Sequence, residues 1–359
     1  MAVALDCAYQ GLGSVEPNPM VGAVLARDGK SLAQGWHKRF GGPHAEVEAL
    51  RSAVASGVDP RGCTLYVTLE PCCHFGKTPP CTQAVIDAGI VRVVVAMVDP
   101  DSRVAGKGVA ALRQAGLDVA VGTLQQEATS LLAAYIKLRT ASRPWVICKW
   151  AQTADGCLAL PPGQGRWISG PESLAQVHQM RSWISGIGVG IETVLADDPL
   201  LTNRSGSGSQ PRRLVIDSSL RTPVDCQLLR TTDAAPVLIA TTTASLAQRP
   251  DVAKRLRDAG AEIMPAGDGP RVDLPAMLDE LGRRQWTYLM IEGGQALLES
   301  VLTQSLADEL RVYVSPLQVG QGPSTVSLPR LNVRQVLQDL PPPIISAVGV
   351  DALMTYRLR

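Results

Sequence analysis

The sequence predicts an α/β protein of two domains, and three observations carry that prediction. Its 359 residues exceed the usual length of a single domain. Helical and strand patterns alternate along both halves, as they do where helices cover a sheet. Ser142-Arg143-Pro144 interrupts a helical pattern, and a new strand pattern starts directly after it. These observations divide the chain into residues 1–143 and 144–359.

The elements follow in order. Val3, Leu5, Ala8 and Leu12 form an apolar helical pattern that ends near Gly11 to Gly13, and Pro17-Asn18-Pro19 makes a rigid turn. Val21 to Ala26 reads as a buried strand with Asp28-Gly29 as its hairpin turn. Val47, Leu50 and Val54 set a helix over His44 to Ser56, which Gly57 stops. Thr64 to Leu69 is the next strand, and a loop rich in proline, cysteine and glycine follows it. A helix near Thr82 to Ala88, a strand at Val91 to Val98, a helix at Ala105 to Ala115 and a strand at Val119 to Val121 continue the alternation. One helix starting near Gln126 closes the first half. Strands in the second half are expected at Trp145 to Ala151, Ile187 to Gly190, Arg213 to Asp217, Val237 to Thr241, Tyr288 to Glu292 and Glu309 to Val314. Ser205 to Gln210 is a surface loop, because a strand pattern resumes at once.

Composition narrows the function. A net charge of +1 gives no basic surface for nucleic acid or an anionic membrane, and 4% aromatic residues leave few platforms for stacked bases. Eight irregularly spaced cysteines are too few for a disulfide scaffold in a chain this long. No charged leader with a cleavage site opens the sequence, and no apolar run reaches the roughly 18 residues of a membrane span. The expected setting is cytoplasmic, with a small-molecule ligand and neither nucleic acid nor membrane as partner.

His44-Ala45-Glu46 opens a helix, Pro71-Cys72 follows a strand, and Cys81 ends the loop after it. One histidine and two cysteines leave the fourth position on zinc free for water, which is the catalytic arrangement. Helix N-termini beside His44 and Cys81 would favour thiolates and hydroxide. Glu46 stands close enough to reach the zinc-bound water without binding the metal, so it can move a proton from that water to a ring nitrogen and a leaving amine. His-x-Glu with Pro-Cys and a second cysteine is a zinc-deaminase signature, although eight residues separate Cys72 from Cys81 where two are common. Ordinary buried thiols with a capping histidine are the bland alternative, and Cys73 is a competing ligand. Cys7, Cys63, Cys148, Cys157 and Cys226 read as packing residues. His74 and Lys77 lie between the two cysteine ligands; a ligand-facing or a structural role is open for His74, and Lys77 offers a point charge for a phosphate.

The stretches PNPMVGAV, GWHKRFGGPHAEVEAL and TLEPCCHFGKTPPC in the first half resemble the bifunctional riboflavin-biosynthesis deaminase/reductase family. KWAQTADG, RWISG, ETVLADDPLLTNR, VIDSSLRTP and IEGGQALLES continue the resemblance through the second half, and the long cysteine spacing is normal in that family. The resemblance implies a cytidine-deaminase-like three-layer α/β/α domain followed by a dihydrofolate-reductase-like α/β domain. It implies zinc-dependent deamination of 2,5-diamino-6-(5-phosphoribosylamino)pyrimidin-4-one. NADPH would then reduce the ribosyl side chain, giving 5-amino-6-(5-phosphoribitylamino)uracil. The expected assembly is a homo-oligomer. Carried onto matching positions, Asn18, His37, His74 and Lys77 would hold the deaminase substrate. Arg181, Leu201, Arg204 and Glu292 would hold the reductase substrate, the arginines suiting its phosphate. Ala151, Trp167, Thr193, Asp197, Ser218 and the run Gly294, Gln295, Ala296, Leu297, Leu298, Glu299 and Ser300 would bind NADPH. The chemistry of Gly293-Gly294 agrees, since glycines between a strand and a helix let backbone amides approach a phosphate. Two residues depart from the family: Thr153 where serine is usual, and Gly165 where some members place a substrate-binding serine. Other classes fit less well. A nucleic-acid editor predicts a basic second half, and a purely structural zinc protein predicts four protein ligands. A catalytically silent second half conflicts with the matches to the NADPH site.

Overall fold

Short strands build the first sheet, and a two-residue turn sets the pairing of its first hairpin as far as a bulge between Leu25 and Ala26. In the computed structural model, which describes residues 1–73, 80–161, 163–165, 167–320, 329–331 and 339–358, the chain divides into two units, Met1–Ser142 and Arg143–Arg359. The first unit contains α1 (Ala2–Tyr9), β1 (Gly22–Arg27), β2 (Lys30–Trp36), α2 (Ala45–Ala55), β3 (Thr64–Val67), α3 (Cys81–Asp87), β4 (Arg92–Val95), α4 (Lys107–Gln114), β5 (Asp118–Val121), α5 (Gln125–Leu131) and α6 (Ala133–Ala141). Asp28 and Gly29 both adopt positive φ, 51° and 76°, the backbone that matches hairpin twist, and Arg27 pairs with Lys30. The strand order is β2-β1-β3-β4-β5. β1 runs antiparallel to β2 and β3, while β3, β4 and β5 are parallel.

Leu25, Leu65, Val93 and Val95 meet Ala49, Val85 and Leu112, so α2, α3 and α4 pack on one face. Ala8, Ala128 and Tyr135 join a second apolar cluster with Leu69 and Met97, giving α1, α5 and α6 the other side. This is the three-layer α/β/α arrangement of a cytidine-deaminase-like domain. The approach of α2 to β2 depends on Gly35: a Cβ there would lie 2.2 Å from the Ala49 amide nitrogen and 2.6 Å from the Ala45 carbonyl oxygen. The predicted single helix after Gln126 is two helices. Leu132 turns the chain between them, with φ −96° and ψ 9°, while its side chain is buried in the second cluster.

The second unit contains β6 (Trp145–Thr153), α7 (Pro171–Arg181), β7 (Gly186–Gly190), α8 (Ile191–Asp197), β8 (Arg212–Ile216), α9 (Gln227–Arg230), β9 (Val237–Thr241), α10 (Thr243–Gln248), α11 (Pro250–Asp258), β10 (Ala261–Pro265), α12 (Leu274–Arg283), β11 (Tyr288–Glu292), α13 (Gln295–Thr303), β12 (Glu309–Ser315), β13 (Ile344–Val348) and β14 (Asp351–Arg357). Among the described residues they form a nine-stranded sheet in the order β10-β9-β8-β7-β11-β6-β12-β14-β13. It is parallel from β10 to β12 and antiparallel at the β14-β13 edge. Val146, Ile147 and Cys148 of β6 are all buried, as expected of a parallel strand covered on both faces. This is the dihydrofolate-reductase-like α/β domain. β10, β13 and β14 were not anticipated from the sequence. Among the described residues no helix is long and apolar enough to cross a membrane.

Candidate active sites

The zinc set assembles where two helices begin and a strand ends. His44 is the N-cap of α2, with extended φ −75° and ψ 166°, Cys81 is the first residue of α3, and Cys72 lies in the loop beyond β3. The ligand atoms of His44, Cys72 and Cys81 lie within 4.8 Å of one another, and Cys73 is not part of this group. His44 Nδ1 is 3.2 Å from Cys81 Sγ and 3.6 Å from Cys72 Sγ. Zinc bonds of ~2.3 Å to sulfur and ~2.0 Å to nitrogen place neighbouring ligands about 3.6 Å apart in a tetrahedron. The three residues therefore fit a zinc ion, and they leave a fourth direction open.

The electrostatics fit as well. Hydrogen bonding from Cys81 holds Cys72 well below the usual thiol range, with burial opposing and His44 assisting. The contact with Cys72, burial and the neighbouring Glu46 push Cys81 up. A divalent cation on the same atoms would displace thiol protons from them. Cys72 also raises His44, against burial. Glu46 is buried in α2, and burial lifts its carboxyl to about 7 while His44 opposes the rise. A carboxyl at that level is suited to both taking and giving a proton near neutral pH.

A cavity of about 320 Å³ opens on His44, Glu46 and Cys72 and includes Asn18 and His37. His37 Nδ1 lies 2.9 Å from the Pro43 carbonyl, which only accepts, so this nitrogen carries the proton. Nε2 then accepts from the Asn18 amide at 3.3 Å. Burial lowers the His37 pKa, which favours the same neutral ring. His74 and Lys77, expected at this site, lie outside the described residues. The cavity also takes Asp99, Asp101, Arg103, Tyr135 and Arg139, none of which the motifs indicated.

In the second unit a cavity of about 220 Å³ brings together Arg181, Leu201, Arg204 and Glu292, the four expected substrate positions. Arg181 Nη2 donates to Glu292 Oε2 at 3.0 Å, and Nη1 donates to the Thr202 carbonyl at 3.3 Å. Lys149 Nζ stands 3.9 Å from Glu292 Oε1. Burial alone would raise the Glu292 carboxyl, but Arg181 and Lys149 outweigh it and hold the group below its usual range. Burial lowers Lys149 in turn. Arg204 Nη2 lies 3.0 Å from His178 Nε2. A guanidinium only donates, so that ring nitrogen accepts. Lys149 and His178 line the cavity too; the visible signal for Lys149 was a lone charge inside the apolar run WVICKWA.

The expected cofactor positions distribute unequally. Ala151 lies near the end of β6, Thr193 follows β7, Ser218 follows β8 and Gly294 follows β11. These four strands are neighbours, and the crevice beyond the carboxyl ends of parallel strands is where such sheets bind ligands. The Gly294 amide donates to Thr193 Oγ1 at 3.3 Å, and a Cβ at Gly294 would meet nothing within 4 Å. Open space at a helix N-terminus fits an NADPH phosphate. Leu298 is fully buried in the core, and Gln295 bonds Glu299 along α13. Ser218 Oγ accepts from the Val272 amide. Asp197 is exposed at the far end of α8, while its neighbour Asp198 lines the substrate cavity together with Trp167. Of the two departures, Thr153 uses its hydroxyl within the turn after β6, donating to Asp155 and accepting from the Cys157 amide. Gly165 has φ +101°, a backbone that disfavours serine.

Residues 1–97 match the cytidine and deoxycytidylate deaminase zinc-binding region, and residues 144–340 match the RibD C-terminal domain. The riboflavin biosynthesis protein RibD of Actinobacillus pleuropneumoniae is 38% identical over 359 residues, which cover 99% of this chain and 94% of the relative. Its counterpart in Aquifex aeolicus is 38% identical over 341 residues, 95% of this chain and 92% of the relative. Among solved structures, the diaminohydroxyphosphoribosylaminopyrimidine deaminase/5-amino-6-(5-phosphoribosylamino)uracil reductase of Thermotoga maritima superposes with a TM-score of 0.84 at 33% identity, covering 99% of this chain and 97% of that one. A RibD structure from Acinetobacter baumannii has the same TM-score at 32% identity, with the same coverage.

Proposed function

Since the chain belongs to the RibD family of riboflavin biosynthesis proteins, which join a zinc-binding deaminase to an NADPH-using reductase, we propose that it carries out both steps on a phosphorylated pyrimidine. In this reading residues 1–143 deaminate 2,5-diamino-6-(5-phosphoribosylamino)pyrimidin-4-one. Residues 144–359 then reduce the ribosyl side chain, giving 5-amino-6-(5-phosphoribitylamino)uracil. The observation that carries the reading is the group formed by His44, Cys72 and Cys81 with the buried Glu46 in one cavity.

His44, Cys72 and Cys81 are the proposed zinc ligands. Bound zinc lowers the pKa of a water to near neutrality. Glu46 takes one proton of the attacking water and gives it to a ring nitrogen, then carries the remaining hydroxyl proton to the departing amine, so that water is consumed and ammonia leaves. Asn18 and the neutral His37 orient the ring, with His74 and Lys77 as further proposed substrate residues. In the second unit NADPH supplies the hydride. Arg181 and Arg204 hold the phosphate, and Leu201 shapes the cavity. Glu292, fixed by Arg181 and Lys149, accepts from the sugar hydroxyls. Ala151, Trp167, Thr193, Asp197, Ser218 and the segment Gly294 to Ser300 are the proposed cofactor positions, Leu298 through its backbone alone. A cytoplasmic location is supported by eight free cysteines. Exposed Ile344 and Ile345 on the β13 edge support a homo-oligomer.

The test supplies the diaminopyrimidine phosphate with and without NADPH while ammonia and NADPH oxidation are followed together. Ammonia in both cases, with oxidation only when NADPH is present, is the expected result. Ammonia with no oxidation would reduce the activity to the first unit.

A further inference from the structure

We propose that Tyr135 is a positioning residue of the deaminase site, holding the Asp99 carboxylate as a fixed hydrogen-bond acceptor on the cavity wall. The proposal rests on the deaminase reading of the first unit. Tyr135 stands on α6, beyond the 1–97 stretch that matches the zinc-binding region. It nevertheless lines the same cavity as His44, Glu46 and Cys72. Its hydroxyl donates to Asp99 Oδ1 at 3.0 Å and lies 3.3 Å from Oδ2. Both residues are 7% exposed.

A carboxylate so far out of water needs donors, and the surrounding loop supplies them. The Asp101 amide donates to Asp99 Oδ1 at 2.9 Å. Asp99 in turn gives its own amide to Glu70 Oε2 at 3.1 Å. Glu70 also accepts the Gly106 and Val109 amides at 2.8 and 2.9 Å, and its chain continues through Pro71 into Cys72. Tyr135 therefore bears on a loop tied to the zinc ligand. Its ring makes a second connection: the Arg139 guanidinium lies 5.2 Å from the ring centre and donates to the Pro17 carbonyl at 3.3 Å, next to Asn18. One tyrosine thus links the Asp99 wall to the Asn18–His37 wall. A carboxylate has about four acceptor positions, so Asp99 keeps capacity for hydroxyl or amino donors of a bound substrate. Burial and the nearby Asp99 raise the Tyr135 hydroxyl above its ordinary value, so it stays a donor across the working pH range.

The experiment compares Tyr135→Phe, Asp99→Asn and the double variant as full-length, zinc-loaded proteins. Losing one hydrogen bond to a charged group should raise the deaminase KM about tenfold in Tyr135→Phe, with kcat within about twofold. Zinc content and reduction of separately supplied deaminated intermediate should match the wild type, while the melting temperature falls by the few degrees that a lost buried hydrogen bond costs. Asp99→Asn should show a similar rise, and the double variant should be no worse than Asp99→Asn alone. A wild-type KM in Tyr135→Phe, additive effects in the double variant, or a loss of zinc or stability with no change in KM would each overturn the proposal. If the wild-type chain releases no ammonia at all, the deaminase reading itself falls, and the proposal with it.

Discussion

Glu46 combines three properties that a proton carrier needs: burial, a pKa lifted to about 7 by that burial, and a position two residues from the proposed ligand His44. Glu46→Gln keeps the shape and removes the titration. The variant should keep one zinc per chain and lose ammonia release by about 10²- to 10⁴-fold, the usual contribution of positioned acid–base catalysis. Metal analysis beside an ammonia assay checks both halves, and full activity would remove Glu46 from its role. His37 makes a pH prediction. Burial lowers its folded pKa below the ordinary 6.5, so the unfolded chain takes up a proton first as the solution is acidified. The stability contributed by neutral His37 is full above pH 6.5 and is lost as pH falls through the folded pKa. Glu46 and His44, whose pKa values are raised, gain stability over the same interval, so the His37 contribution is read as a difference. From pH 7.5 to 5.5 the wild type should lose stability relative to His37→Asn in paired melting curves, and an unchanged difference would remove His37 from this role.

At the level of elements, the site depends on how closely α2 lies on β2. Gly35→Val would drive a side chain into the backbone of Ala45 and Ala49, displacing the helix that carries His44 and Glu46. Overpacking of this kind costs about 1–3 kcal/mol or more. The variant should melt earlier and bind less zinc while still reducing the deaminated intermediate. Unchanged zinc content would show that α2 tolerates the displacement. The same elements explain what was readable beforehand. The β1-β2 turn and α2 announce themselves locally, through Asp28-Gly29 and through apolar spacing, and the His-x-Glu and Pro-Cys motifs ride on them. Asp99 and Tyr135 do not, because α6 brings Tyr135 to a pocket 36 residues away in sequence, and no local pattern encodes that meeting. Lys149 was concealed for a related reason, since a charge inside a buried strand gains meaning only once Glu292 stands beside it. The β13-β14 hairpin was legible in principle: Val348 pairs with Asp351 across Gly349-Val350, but its half-exposed strands lack a continuous apolar run.

For the whole molecule, the decisive property is that the zinc set and the Arg181–Glu292 cluster lie in different units, Met1–Ser142 and Arg143–Arg359. Among the described residues none is shared between the two cavities. The chemistry is also ordered, because the reductase reading takes the product of the deaminase reading as its substrate. Damage to one site should therefore leave the other intact, and two differently damaged chains should complement each other. Glu46→Gln should oxidise NADPH when given the deaminated intermediate, whereas Asp197→Ala, at a proposed cofactor position, should release ammonia with reduction impaired by about tenfold or more, the loss a charge-assisted contact at that position would give. Mixed in equal amounts with the diaminopyrimidine phosphate and NADPH, the two variants should restore both ammonia release and NADPH oxidation. The first variant supplies a working second unit and the second a working first unit. Ammonia release without NADPH oxidation in the mixture, with each variant retaining its own single activity, would mean that the intermediate does not pass between chains. Loss of both activities in a well-folded Asp197→Ala protein would contradict the independence of the two sites.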